Sequence, residues 1–179
     1  MSSTFLTETD LLSIEKWISC MGPKIISGTQ SRKKRTKQAK AALNLEYEQI
    51  DSGKHRIVYD IGDGYVVKIA MSVRGLRCNK IEWDMYNTCP QILRKHLCPI
   101  AEYGHGWIIM KKMDTRVAEN EIYDKKLADM EELFLSHGIR TSDVRLDSNA
   151  PKRRNVALTE QDEIVFIDYG NFKYIETAK

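Results

Sequence analysis

Long apolar runs, paired cysteines and clustered histidines are all missing from this sequence. No stretch approaches the roughly 18 consecutive apolar residues that a membrane-spanning helix needs. Residues 1–5 lack the basic and then apolar pattern of a secretory signal. The four cysteines form no C-x-x-C pair and the four histidines are scattered, so neither a disulfide framework nor a structural zinc site is indicated. We therefore expect a cytoplasmic protein with free thiols and no membrane partner.

What the sequence does contain is enough for one well-cored domain, or for a small domain with an appendage. It has 179 residues, of which 42% are hydrophobic and 30% are charged, an ordinary globular composition. The net charge of +3 is unevenly distributed, because residues 24–40 carry seven Lys and Arg side chains and no acid. Any electrostatic partner is therefore expected to bind at this basic segment, residues 24–40.

Helical spacing of apolar residues marks two segments before residue 46. Residues 8–20 predict a short helix that Thr9 or Asp10 caps and that Gly22-Pro23 ends. Residues 31–45 are good helix formers and predict a basic helix that leads into the core domain.

After residue 46 the pattern changes to short strands separated by glycine-containing turns. The strand-like segments are 47–50, 56–59, 65–70, 98–103 and 107–110. One helix-like segment, residues 76–87, lies between the third and the fourth. This order predicts a five-stranded antiparallel sheet interrupted by one helix.

The last third of the chain predicts a different, more helical part. Residues 119–136 have the apolar spacing of a second long helix, and a polar loop covers residues 140–154. Two apolar segments, 156–158 and 164–167, then predict a hairpin. The fold class is therefore expected to be α+β.

Four polar positions carry the chemistry: Lys68, Asp143, Asn155 and Asp168. Lys68 lies within the apolar third strand, and Asp168 directly follows the apolar run that ends the hairpin. A lysine neutralises phosphate oxygens, while Asp and Asn oxygens are hard ligands suited to Mg²⁺. A cation on a strand, followed by acids and an amide at the ends of later strands, is the set required to hold a magnesium nucleotide.

Two short motifs strengthen this interpretation. Val66-Val67-Lys68 resembles the V-A-I-K strand of the protein-kinase superfamily, and Asp168-Tyr169-Gly170 resembles its D-F-G motif. With the element order, the resemblance covers residues 46–172. It implies a kinase-like N-lobe with one αC-type helix at 46–113 and a reduced C-lobe at 114–179, preceded by a helical basic extension at 1–45. Small truncated kinase-like proteins of bacteria and phages are similar.

The resemblance implies roles for three residues of the N-lobe. Lys68 would contact the α- and β-phosphates, and Glu82 would orient its ammonium group and keep it charged. Gly53 stands in the glycine-rich loop, where glycine lets backbone N–H groups approach phosphate, although the other glycines of that motif are absent. A solvated position for Glu82 and a plain hairpin turn at Gly53 are the alternatives.

The resemblance also implies an adenine site at the end of the fifth strand. Met110 would border the pocket, and the backbone of Lys111 and Met113 would bind the adenine edge. An ordinary buried strand is the alternative.

In the C-lobe, Thr141-Ser142-Asp143 stands where the family has H-R-D, so the resemblance makes Asp143 the catalytic aspartate that receives the proton of the acceptor hydroxyl. Asn155 would be the metal-binding asparagine, because it lies thirteen residues before Asp168, the second magnesium ligand. This alignment implies an insertion at residues 147–153.

Each of these assignments has an alternative. Asp147 is a substitute for Asp143 as the base, and Asn149 is a weaker rival to Asn155 as the ligand. Asp143 could instead cap the loop, and Asp168 could close an Asx-type turn at the strand end.

The implied activity is an ATP-dependent phosphotransferase that uses ATP and Mg²⁺, of the Ser/Thr type and acting on a protein. The family's activation segment, A-P-E motif and peptide-holding helices are missing, so a protein substrate would dock on another surface. The alternative is a catalytically weak or inactive kinase-like protein that acts as a nucleotide- or protein-binding regulatory module.

The basic segment supports a third hypothesis, a charge-driven regulator associated with nucleic acid. Such a segment also attracts acidic proteins or anionic membrane surfaces, and no aromatic residue is interleaved for base stacking. A solvated, partly disordered connector, or a segment folded back over the nucleotide site, are the alternatives.

Overall fold

The computed structural model describes residues 2–21 and 31–175. The predicted helix end at Gly22-Pro23 and the first part of the basic segment, residues 24–30, lie outside the described residues. The chain divides into two compact units. The first unit consists of Met1–Lys80 and Ile100–Lys112, and the second consists of Ile81–Pro99 and Met113–Lys179.

A five-stranded antiparallel sheet forms the centre of the first unit and confirms the prediction. Its strands are β1 (Glu48–Ser52), β2 (Arg56–Gly62), β3 (Tyr65–Ala70), β4 (Ile100–Gly104) and β5 (Trp107–Lys111), in the spatial order β1-β2-β3-β5-β4. β3 is therefore the central strand. Five of its six residues are buried, which accounts for the apolar residues on both sides of Lys68.

The turn between β2 and β3 shows why the sequence places Gly-Asp-Gly there. Gly62, Asp63 and Gly64 all have positive φ angles, of 83°, 50° and 79°. Glycine adopts this region without steric cost, and Asp tolerates it better than most residues. The turn chemistry therefore fixes where β2 ends and β3 begins.

Two helices precede the sheet, α1 (Glu8–Ser19) and α2 (Arg32–Leu43). The predicted caps of α1, Thr9 and Asp10, are wrong: Thr7 is the N-cap. Its hydroxyl accepts from the Asp10 backbone N–H at 3.1 Å, and the Asp10 carboxylate accepts from the Thr7 N–H at 3.0 Å. This reciprocal pair is a capping box, with Asp in the place that Glu or Gln usually takes.

Both helices are part of the core of the first unit. The buried cluster joins α1, α2 and the apolar side chains of the sheet: Leu6, Ile14, Trp17, Ile18, Met21, Ala39, Leu43, Ile57, Tyr59, Val67, Ile69, Ala70, Met71, Trp107 and Ile109. The Trp17 indole also donates a hydrogen bond of 2.8 Å to the Ala70 carbonyl. Over residues 32–40 the basic segment is thus part of an ordered helix with a buried side, which rules out a solvated connector there.

The helix between the third and fourth strands is α3 (Val73–Thr88), followed by the short α4 (Gln91–Arg94). α3 begins three residues earlier than the predicted 76–87. Its first turn lies close to the backbone of His55. A Cβ atom added at Gly75 would lie 2.3 Å from the His55 carbonyl oxygen, so only glycine fits there.

The second unit is built around one long helix, α5 (Glu121–Ser136), whose N-cap is Asn120. Short antiparallel pairs accompany it: β6 (Ile139–Arg140) with β9 (Lys173–Tyr174), and β7 (Val156–Leu158) with β8 (Ile164–Phe166). The last pair is the predicted hairpin. Phe134, Phe166 and Phe172 pack edge to face at ring-centroid distances of 4.9 to 5.8 Å and form the aromatic core of this unit.

Among the described residues, none of the helices combines the length and the apolar composition that crossing a bilayer requires.

Candidate functional site

Lys68 lies in the middle of the central strand of the sheet. Its backbone pairs with Val58 in β2 and Ile108 in β5, and its side chain is only 8% exposed. A solvated edge position, the usual place of a lysine in a strand, is therefore excluded. Covering an ammonium group costs free energy unless anionic or polar atoms surround it. Such a lysine is suited to binding phosphate.

The turn between β1 and β2 contains Gly53, predicted to stand in a phosphate loop. Its N–H donates to the Arg56 carbonyl at 2.8 Å and closes the hairpin. A Cβ atom at this position would lie 3.8 Å from the same oxygen, an ordinary contact, so the backbone does not require glycine here. These contacts favour the hairpin-turn interpretation of Gly53.

A cluster of cations surrounds the end of this turn. Burial, followed by the charges of Arg74, Arg35, Lys54 and Arg56, lowers the pKa of His55 to about 4. The imidazole is therefore neutral at pH 7, and its Nδ1 atom lies 2.9 Å from the Ser72 hydroxyl. The positive charge near the turn comes from the arginines and Lys54, not from His55.

The residues predicted to bind adenine lie at the end of β5. Met110 is fully buried and pairs with Val66 in β3 and Ile100 in β4, whereas the Lys111 side chain is exposed. Met113 is partly buried and belongs to the second unit. Their contact with a nucleotide stays a prediction.

Glu82 is a fully buried acid in the second unit, with 0% exposure. One carboxylate oxygen accepts hydrogen bonds from the backbone N–H groups of Tyr169 and Gly170, both at 3.1 Å. A solvated position on α3 is therefore excluded. The predicted partnership between Glu82 and Lys68 stays a prediction, but the acid has a clear structural role: it holds the turn that directly follows Asp168.

The turn that Glu82 holds is also fixed through its tyrosine. The Tyr169 hydroxyl donates to the Cys98 carbonyl at 2.9 Å, and burial raises the pKa of Tyr169 well above its usual value. The segment that carries Asp168 is therefore anchored by one side-chain donor and by two backbone donors.

We expect Glu82→Ala to lower the free energy of unfolding by about 2–3 kcal/mol, because two buried N–H groups would lose their shared acceptor. Glu82→Gln keeps a carbonyl oxygen at the same position and should cost about 1 kcal/mol or less. Urea denaturation of both variants measures the difference. Equal losses for the two variants would show that the backbone contacts contribute little.

Asp143 has the left-handed backbone conformation, with a φ angle of 71°. Non-glycine residues in this region are uncommon, although Asp tolerates it better than most residues. Its carboxylate accepts from the Lys152 ammonium and, at 3.3 Å, from the Asn155 side-chain amide. The same amide donates to the Asp143 carbonyl at 2.7 Å. The structure thus brings two of the predicted site residues, Asp143 and Asn155, together.

The predicted insertion forms a small closed loop. Arg145 pairs with Pro151 across it, and the Lys152 N–H donates to the Val144 carbonyl at 2.8 Å. Asn149 lies at its tip with a φ angle of 66°, a turn position, and the exposed Asp147 lies on the same loop. Because the loop closes in this way, the Lys152 side chain lies beside the Asp143 carboxylate.

Two residues that contact Asp143, Lys152 and Asn171, were not predicted from the sequence. The Asn171 amide donates to the Asp143 carboxylate at 3.5 Å. Spacing alone could not identify Lys152, which lies nine residues from Asp143. Only the closed form of the loop brings the Lys152 ammonium next to the Asp143 carboxylate, and the sequence does not show that closure.

Magnesium coordination by Asn155 and Asp168 stays a prediction, and the contacts of these two residues are compatible with it. Within the described parts of the chain, no group of three or more His, Cys, Asp or Glu residues is placed to hold a metal. Mg²⁺ is usually bound through one or two protein oxygens together with phosphate oxygens and water. Because the amide nitrogen of Asn155 is used as a donor, its oxygen is the atom suited to coordination, and Asp168 supplies a partly buried carboxylate.

No protein-family model matches the chain, and no curated protein matches it. A structure of WbdD matches with a TM-score of 0.54 and 15% identity, covering 74% of this chain and 34% of WbdD. The Lpg2603 kinase of Legionella pneumophila, solved with IP6 bound, matches with a TM-score of 0.52 and 16% identity, covering 75% of this chain and 51% of that kinase.

WbdD has also been solved with a kinase inhibitor, and that structure matches with a TM-score of 0.50, covering 69% of this chain and 32% of WbdD. This chain thus spans about a third to a half of the length of the structures it matches. At 15–16% identity such likeness establishes the fold, and the fold is kinase-like.

Proposed function

We propose that the chain binds ATP with Mg²⁺ and transfers phosphate to a hydroxyl group, most simply a Ser or Thr hydroxyl of a protein. The observation that carries this proposal is the group around Asp143: an acid in a left-handed conformation that contacts an ammonium group and two amides. The kinase-like fold supports it.

Each residue has a role in this proposal. Lys68, a covered cation on the central strand, neutralises phosphate charge. Asn155 and Asp168 would hold Mg²⁺, which shields the charge of the phosphates. Asp143 orients the acceptor hydroxyl and accepts its proton, and Lys152 keeps positive charge beside that carboxylate. Because phosphoryl transfer requires little covalent chemistry from the protein, placement and charge account for most of the catalysis.

A non-catalytic nucleotide- or protein-binding module is the second candidate. The specific observation in its favour is that the Gly53 N–H is already used to close the hairpin. The Asp143 carboxylate is also already engaged by the Lys152 ammonium, so one of its oxygens is occupied by an ion pair within the loop.

Nucleic-acid association is supported only by charge. The lysines at positions 33, 34, 37 and 40 of α2 are exposed and have no acid among them. Binding measured across salt concentrations tests this candidate, since affinity that does not fall with salt would contradict charge-driven binding.

Nucleotide binding is tested by thermal or chemical unfolding with Mg-ATP. At a ligand concentration 100 times its dissociation constant, binding should stabilise the fold by about 2.7 kcal/mol. Lys68→Met, which keeps the aliphatic volume and removes the charge, should abolish most of this stabilisation. Lys16→Ala, at an exposed position of α1 in the same unit, is the matched control and should retain it.

A stabilisation that persists in Lys68→Met would remove this lysine from the phosphate site. The wild type showing none at millimolar Mg-ATP would contradict nucleotide binding altogether.

A further inference from the structure

The basic helix α2 contacts the turn between β1 and β2 directly. The Arg32 guanidinium donates to the Ser52 carbonyl, and the Arg35 guanidinium donates to the Lys54 carbonyl at 2.5 Å. Arg35 is only 1% exposed, which is rare for an arginine. Two cations of the basic segment are thus committed to the backbone of one turn.

The same turn is held at its other end by Met71 and Ser72, the two residues between β3 and α3. The Met71 N–H donates to the His55 carbonyl at 2.7 Å, and the His55 ring lies 2.9 Å from the Ser72 hydroxyl. The absence of a side chain at Gly75 allows this approach. Two separate segments therefore hold the turn: α2 contacts the Ser52 and Lys54 carbonyls, and residues 71–72 contact His55.

These contacts determine where the turn presents its backbone donors. In a trans peptide the C=O and N–H groups point in opposite directions. When Arg35 holds the Lys54 carbonyl, the N–H of the same peptide, which belongs to His55, points away from Arg35. Within the described residues, the backbone N–H groups of Lys54 and His55 donate to no acceptor. Such donors, close to several cations, are suited to an anion.

We propose that Arg32 and Arg35 are positioning residues for the nucleotide: by holding the Ser52 and Lys54 carbonyls, they aim the His55 N–H at a phosphate oxygen. This inference rests on the proposed nucleotide binding. It explains how a turn with one glycine can serve a role for which a mobile glycine-rich loop is usual, because an external helix supplies the fixed geometry.

Two readouts test the proposal in the full chain with Arg32→Ala, an exposed position that should leave folding intact. Hydrogen exchange of the Gly53 and Met71 amides, both bonded within this region, should become about five-fold faster, the factor expected for the loss of one net hydrogen bond. The dissociation constant for Mg-ATP should rise by about five-fold. Lys16→Ala removes the same charge from the same unit and should change neither quantity.

Arg35→Met, which removes the buried donor and keeps most of the volume, should have the larger effect on both quantities if it folds. Faster exchange in Arg32→Ala with unchanged nucleotide affinity would overturn the positioning role and leave nucleotide binding intact. An equal loss of Mg-ATP affinity in Lys16→Ala would show that the loss in Arg32→Ala reflects the net charge of the protein and not the position of the turn, and would also overturn the proposal. If the wild type binds no Mg-ATP, the inference fails together with the proposed function, and the exchange rates still show whether α2 holds the turn.

Discussion

Trp17→Ala is expected to lower the free energy of unfolding by about 3–5 kcal/mol, the range for truncating a large buried aromatic side chain. Trp17 is only 4% exposed, and its ring belongs to the buried cluster that joins α1 and α2 to the sheet. The substitution also leaves the Ala70 carbonyl without the indole donor. Urea denaturation monitored by circular dichroism measures the loss.

Trp17→Phe is the matched control. Phenylalanine keeps most of the apolar volume and removes the N–H donor, so the expected loss is about 1–2 kcal/mol. This pair also tests the predicted division at residue 45, which treats residues 1–45 as an extension separate from the N-lobe at 46–113. If β2 and β3 keep full hydrogen-exchange protection in Trp17→Ala, the extension is separable. We expect protection of both strands to fall, because α1 and the sheet share one core.

Much of the fold could be predicted because the signals for its sheet are local. The alternation of short apolar segments with Gly-containing turns identified all five strands, and the Gly-Asp-Gly turn fixed the β2–β3 boundary. The packing of α1 and α2 could not be predicted in this way. A helix such as α2, rich in Lys and Arg, has a weak apolar periodicity, and Ala39 and Leu43 are its only apolar residues in the buried cluster.

In the candidate site, too, some residues could be predicted from the sequence and some contacts could not. The resemblance to the protein-kinase superfamily selected Asp143 and Asn155, which the structure places in direct contact. Contacts that depend on how a loop closes or where a turn is held were beyond the sequence: the Lys152 ion pair with Asp143, and the two backbone N–H groups on Glu82. Such contacts follow from tertiary structure, and no spacing rule encodes them.

Asp143→Asn is expected to lower the rate of phosphoryl transfer by about 10²–10⁴-fold, the range for loss of a general base. Asparagine has nearly the same shape and can still accept from Lys152 and Asn155 through its oxygen, so the loop should remain folded. The dissociation constant for Mg-ATP should change little, because Asp143 acts on the acceptor hydroxyl. Transfer is measured with γ-labelled ATP, following both phosphate release and labelling of the chain's own hydroxyl groups.

Asp147→Asn is the matched control, because Asp147 is an exposed acid on the same closed loop. The rate should be unchanged in this variant if Asp143 is the base. A large loss in Asp147→Asn with no loss in Asp143→Asn would reverse the assignment. A wild-type chain that binds Mg-ATP but releases and transfers no label would establish the non-catalytic module, and the ion pair between Lys152 and Asp143 would then serve to hold the closed loop in place.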